Sequence, residues 1–129
     1  MSDQKTPLQS GRIVLVEDDE DVRRSLTLLL RAHGFSVDVY QSGMELFSNR
    51  TLPEPDCYLI DYKLPKMDGI ALLQKLKTRG INIPSLLITG YFSNTLQTRA
   101  EDAGFHGIIE KPPTSSDILS KISDILEAA

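Results

Sequence analysis

The chain has 129 residues, 40% of them hydrophobic and 25% charged, which suits one globular domain able to bury a core without staples. Its formal net charge of −4 argues against nucleic-acid binding by this segment, which would want a basic face. The single cysteine, Cys57, rules out an internal disulfide, and no apolar run approaches the roughly 20 residues of a membrane span. Residues 1–10 have no apolar stretch like that of a signal peptide and are expected to be a flexible tail, so the chain is expected to be cytoplasmic.

From residue 11 onward, apolar runs alternate with amphipathic segments. RIVLVE (12–17) is a continuous apolar run ending in acid, as in a strand buried on both faces of a parallel sheet. DEDVRRSLTLLLRAHG (19–34) spaces Val22, Leu26, Leu29 and Leu30 as a helix does, with Asp19 as a cap and Gly34 as its stop. FSVDVY (35–40) alternates like a strand near a sheet edge. SGMELFSNR (42–50) opens on the N-cap Ser42 and sets Met44 and Phe47 three apart. PEPDCYLID (53–61) is the next buried strand, with Cys57 as a small apolar residue within it. MDGIALLQKLKTRG (67–80) is a helix turning Ile70, Leu73 and Leu76 inward. IPSLLIT (83–89) is a strand with Pro84 at its entrance. SNTLQTRAEDAG (93–104) is a weakly amphipathic helix anchored only by Leu96, Ala100 and Ala103, GIIE (107–110) is a short strand, and SSDILSKISDILEA (115–128) closes with a clear apolar stripe. Strict alternation of five strands and five helices predicts a doubly wound α/β fold with a parallel sheet.

In such a sheet, ligands gather outside the carboxyl ends of the strands. Glu17, Asp18 and Asp19 follow the first strand, Asp61 ends the third, Thr89 and Gly90 follow the fourth, and Lys111 follows the fifth. Three carboxylates brought together would repel one another, and a hard divalent cation would relieve them. Acidic residues at strand ends often only solvate or cap the next helix, and Asp19 suits that role. For Asp18 and Asp61 jointly the functional reading leads, because both end apolar runs that should be neighbours. His33 and His106 have no partner at ligand spacing and are read as structural.

The acidic pair in VEDDEDVRRSL, together with DYKLPKMDG, LLITG and EKPP, resembles the receiver domains of two-component response regulators, particularly those of NarL/FixJ-type regulators. The likeness spans nearly the whole chain and makes residues 11–129 a receiver domain of the CheY-like, flavodoxin-like (βα)5 kind, strand order 2-1-3-4-5. It implies that Asp61 is the phosphoacceptor, taking a phosphoryl group from the phosphohistidine of a sensor histidine kinase or phosphotransfer protein. Asp18 and Asp61 would bind Mg²⁺ directly, Glu17 through water, and Lys63 through its backbone carbonyl. Lys111 would pair with Asp61 and then with the phosphoryl group, Thr89 would hydrogen-bond that group as a switch, and the Lys111–Pro112 bond would be cis. The implied activity is self-directed phosphotransfer and autodephosphorylation, with a homodimer or output domain using the 93–128 face and with no membrane partner.

Two departures stand out. Glu17 is one methylene longer than the aspartate often found there, and Ile108 occupies a position where many receivers carry a switching Tyr or Phe; Tyr91 could substitute as a mobile aromatic or gate the site. Two other functions remain open. A phosphate-independent scaffold is kept alive by Ile108. An aspartyl-phosphate phosphohydrolase would want an acid where Lys63 stands. A dinucleotide-binding protein is disfavoured, because VEDDED sits where a glycine-rich loop would be.

Overall fold

The computed structural model describes residues 11–128; the expected tail at 1–10 lies outside the described residues, as does Ala129. Five strands, β1 (Gly11–Val16), β2 (Phe35–Tyr40), β3 (Cys57–Asp61), β4 (Ser85–Thr89) and β5 (Gly107–Glu110), alternate with five helices: α1 (Glu20–Ala32), α2 (Gly43–Phe47), α3 (Gly69–Thr78), α4 (Asn94–Ala103) and α5 (Ser115–Ala128). The strands are all parallel, in the order β2-β1-β3-β4-β5. This is the doubly wound, CheY-like fold expected, with β1, β3 and β4 in its middle.

Side-chain alternation along the strands divides the core in two. Ile13, Leu15, Cys57, Leu59, Leu86, Ile88 and Ile109 pack with Leu26 and Leu30 of α1 and Ile118, Ile122 and Ile125 of α5. Val14, Val16, Tyr58, Ile60 and Leu87 point the other way, against Leu46 of α2, Leu72, Leu73 and Leu76 of α3, and Leu96 and Ala100 of α4. Each fully buried aliphatic side chain is worth about 1.5–3 kcal/mol of transfer free energy, so the two-sided strands are the most stable part of the molecule.

Several ends differ from the sequence reading. β3 begins at Cys57 rather than Pro53, since Pro53 and Pro55 bring no N–H to a ladder. β4 begins at Ser85, one residue past Pro84. α2 is a single turn and a half, and Met44 is 61% exposed while Leu46 is the buried anchor. Asp19 and Ser42 cap their helices as expected, and Asp68 and Ser93 do the same for α3 and α4; each accepts a hydrogen bond from a first-turn N–H. Gly104 ends α4 at φ +108, the left-handed conformation that favours glycine.

The loop from β3 to α3 is held against Asp61 by the Gly69 N–H, which donates to the Tyr62 carbonyl at 2.8 Å. A Cβ on Gly69 would stand 2.5 Å from the Asp61 carbonyl oxygen and 3.0 Å from Leu87 Cδ1. Gly69→Ala therefore forces this backbone apart and should destabilise the protein by about 1–3 kcal/mol in chemical denaturation. An unchanged midpoint would show that the loop gives way freely.

Candidate functional site

The strand register brings the charged residues together. Val16 of β1 lies opposite Ile60 of β3, so Glu17 and Asp61 are the next pair along neighbouring strands. By alternation, Glu17 continues the Ile13–Leu15 row, Asp61 the Cys57–Leu59 row, and Lys111 the row of Ile109, all on the α1/α5 side. Thr89 continues the row of Leu87 on the opposite side.

Glu17 is 0% exposed, Asp61 3% and Thr89 1%. Lys111 Nζ lies 3.1 Å from Asp61 Oδ1 and 3.0 Å from Glu17 Oε1, so one cation serves two buried carboxylates. Lys111 meets Glu17 Oε1 as a charge without hydrogen-bond alignment, and this buried oxygen accepts no hydrogen bond among the described residues. Glu17 Oε2 accepts from the Asp19 N–H at 3.1 Å. Asp18 is exposed, and carboxylate oxygens of Glu17, Asp18 and Asp61 lie within 4.8 Å of one another. Hard oxygen donors and a net excess of negative charge, two buried carboxylates against one ammonium, fit a divalent cation. The arrangement can hold a metal ion.

Burial, and then the Glu17 charge, push the Asp61 carboxyl up to about 7, against an opposing pull from Lys111. Burial pulls the Lys111 ammonium down, but the contacts and charges of Glu17 and Asp61 outweigh it and raise it overall. The Lys111–Pro112 bond is cis, as expected.

A cleft of about 260 Å³ opens onto these groups, lined by Asp18, Asp19, Asp61, Lys63, Thr89, Gly90, Tyr91 and Lys111. Thr89 Oγ1 accepts from the Tyr91 N–H at 2.9 Å, which ties the hydroxyl to the loop after β4. At Gly90 an added Cβ would meet only Lys111 Cβ, at 4.0 Å, so glycine leaves the approach clear. Ile108 lies half-buried against the α2–α4 side of the core, paired in register with Leu87.

Thus Glu17, Asp18, Asp61, Thr89 and Lys111 share one site, while the side chain of Ile108 belongs to the packing behind it. Three contacts escaped the sequence reading. Lys111 pairs with Glu17 as well as Asp61, which continued strand alternation could have signalled. Arg23 Nη1 donates to the Glu17 carbonyl at 3.0 Å, bracing the turn after β1 from α1. Lys63 Nζ sits 4.6 Å from the centroid of the Tyr91 ring, joining two sides of the cleft; nothing in sequence spacing foretold it. Cys57 is buried within β3 as expected, with its thiol pushed up to about 12 mainly by desolvation. His33 and His106 make backbone contacts within the scaffold.

Residues 13–123 match the response regulator receiver domain family. Among curated relatives, Response regulator MprA of Mycobacterium bovis (strain BCG / Pasteur 1173P2) is 30% identical over 117 residues, covering 91% of this chain and 51% of that protein. Response regulator MprA of Mycobacterium leprae is 30% identical over 115 residues, 89% of this chain and 50% of that protein. The chain thus spans about half the length of the curated relatives it matches. Among solved structures, the crystal structure of FixJ-N superposes with a TM-score of 0.76 at 32% identity, covering 92% of this chain and 94% of that one. The signal receiver domain of a signal transduction histidine kinase from Syntrophus aciditrophicus gives a TM-score of 0.79 at 28% identity, covering 92% of each.

The raised Asp61 pKa has a defined consequence for stability without metal. The folded state holds this proton up to about pH 7, whereas an unperturbed carboxyl loses it near 3.8. Stability from this group is therefore greatest below pH 3.8 and is lost as pH rises through 7. In metal-free buffer, Asp61→Asn should stabilise the protein at pH 8 by on the order of 1–4 kcal/mol, with the gain shrinking toward pH 5. Thermal melts at the two pH values check the sign, and a loss of stability at pH 8 would contradict it.

Proposed function

The chain belongs to the response regulator receiver family, and from that premise we propose that it is a phosphorylation-dependent switch whose phosphoacceptor is Asp61. The observation that carries this reading is a carboxylate almost wholly buried at the end of a central strand, yet opening onto a cleft and facing one lysine. Ionised, Asp61 is a nucleophile with little solvent to shed. Its oxygen attacks the phosphorus of a phosphohistidine, the P–N bond breaks, and the imidazole leaves as the acyl phosphate forms. Lys111 then turns from the carboxylates to a phosphoryl oxygen, and the Thr89 hydroxyl donates to another.

Asp18 and Asp61 would hold Mg²⁺, with Glu17 acting through water and the Lys63 carbonyl completing the protein's share. Mg²⁺ bound there supplies charge neutralisation on the transferring oxygens, which leaves positioning as the main task of the side chains. Autodephosphorylation needs a water to reach the phosphorus through the cleft that Lys63 and Tyr91 both line, and their stack would restrict that approach. The donor is a sensor histidine kinase or phosphotransfer protein. A second cleft, about 500 Å³ and lined by Val22, Leu26, Leu29, Lys111, Pro112 and Pro113 among others, adjoins the site through Lys111 and suits its approach. These roles would place residues 11–129 in the cytoplasm as a receiver domain, with a homodimer or output domain reading the 93–128 face.

Ile108 favours a second reading, a receiver-like scaffold that signals without phosphate, because it packs into the core and offers no ring to swing. Incubation with Mg²⁺ and a small acyl-phosphate donor separates the two. Wild type should gain the mass of one phosphoryl group, and Asp61→Asn or chelated protein should gain none; no gain by wild type under any donor sinks the switch. Once phosphorylated, Tyr91→Ala should lose the group several-fold faster than wild type. Equal lifetimes would mean that the stack does not restrict water.

A further inference from the structure

On the far side of the β3–α3 loop from Asp61 lies a cleft of about 410 Å³ between α2 and α3. Its apolar surface comes from Met44, Phe47 and Met67, and its rim from Lys66, Lys75 and Arg79. Lys75 Nζ stands 4.6 Å from the Phe47 ring centroid and the Arg79 guanidinium carbon 5.4 Å from it. None of the three cations forms an ion pair among the described residues. The acids nearest in the chain are engaged: Glu45 accepts from the Gln41 N–H and Asp68 from the Ala71 N–H. A chain of net charge −4 has thus gathered unpaired cations around one apolar cleft.

We propose that this cleft docks a short segment of a partner protein carrying carboxylates beside a large apolar side chain. Charge complementarity selects the occupant. Carboxylates answer Lys66, Lys75 and Arg79, and an aliphatic or aromatic side chain covers Met44 and the free edge of Phe47. Methionines adapt their shape to such a guest. The β3–α3 loop walls both clefts, with Lys63 lining the first and Lys66 and Met67 the second, so a bound segment braces the loop that follows Asp61. The docking itself does not depend on phosphorylation of Asp61.

The test is selection of a random phage-displayed peptide library against the full chain, with binding of the recovered peptides to wild type and to Lys75→Glu/Arg79→Glu. Enriched peptides should place Asp or Glu within a few residues of a large apolar side chain. They should lose at least about tenfold in affinity for the charge-reversed protein and weaken as salt rises. Their amide shifts should fall on residues 43–48 and 65–79. The variant should melt as wild type does; if it does not, Lys75→Gln/Arg79→Gln replaces it. No enrichment, no acidic bias, equal binding to both proteins, or shifts confined to the α1/α5 side would overturn the proposal. Self-association of wild type that the charge reversal abolishes would overturn it in favour of a second copy. Wild type and Asp61→Asn should bind alike, which separates this result from the fate of the phosphoacceptor.

Discussion

Two carboxylates, Glu17 and Asp61, are buried side by side against a single ammonium group, Lys111. Removing charges from water costs several kcal/mol each unless partners answer them, and here the answer is incomplete. The sheet order makes the arrangement possible, since β1 and β3 are neighbours and their ends come level. The turn after β1 is braced by Arg23, the loop after β3 by Gly69, and Thr89 is tied to the loop after β4 by the Tyr91 N–H. A site with excess negative charge, in which burial and the Glu17 charge raise the Asp61 pKa, is poised to accept positive charge. A cation and an electrophilic phosphorus both meet that need.

The consequences run outward from there. α4 rests on Leu96, Ala100 and Ala103, a lighter apolar footing than the leucines and isoleucines that α3 and α5 bury. Tyr62, the residue after Asp61, reaches it directly: its hydroxyl accepts from Arg99 Nη1 at 3.1 Å. Ile108 lies behind Thr89 as packing. The aromatic side chain that lines the cleft is Tyr91, 68% exposed and resting under Lys63.

Much of this was legible in the sequence. Continuous apolar runs marked β1, β3 and β4, because a strand covered on both faces has no polar face to display. Asp19 and Ser42 marked helix starts through their capping chemistry, and strand-end position singled out Asp18, Asp61, Thr89 and Lys111. The errors have physical sources. Pro53 and Pro55 prolonged β3 on paper although neither can donate to a ladder, and Met44 looked like an anchor because spacing alone does not say which side of a single-turn helix faces the sheet. The Lys63–Tyr91 stack and the Arg23 brace depend on side-chain direction, which pattern does not encode, whereas strand alternation carried past the strand ends could have signalled the Lys111–Glu17 pair.

The central claim is that the unanswered carboxylate charge around Asp61 exists to receive a cation and a phosphoryl group. A structure of the protein with Mg²⁺ and beryllofluoride, a stable phosphoryl mimic, tests it most directly. The account predicts the mimic on Asp61, with Lys111 Nζ and Thr89 Oγ1 in hydrogen-bond contact and the cation against Asp18. An Asp61 left bare, with Lys111 still bridging it to Glu17 at saturating Mg²⁺ and beryllofluoride, would contradict it.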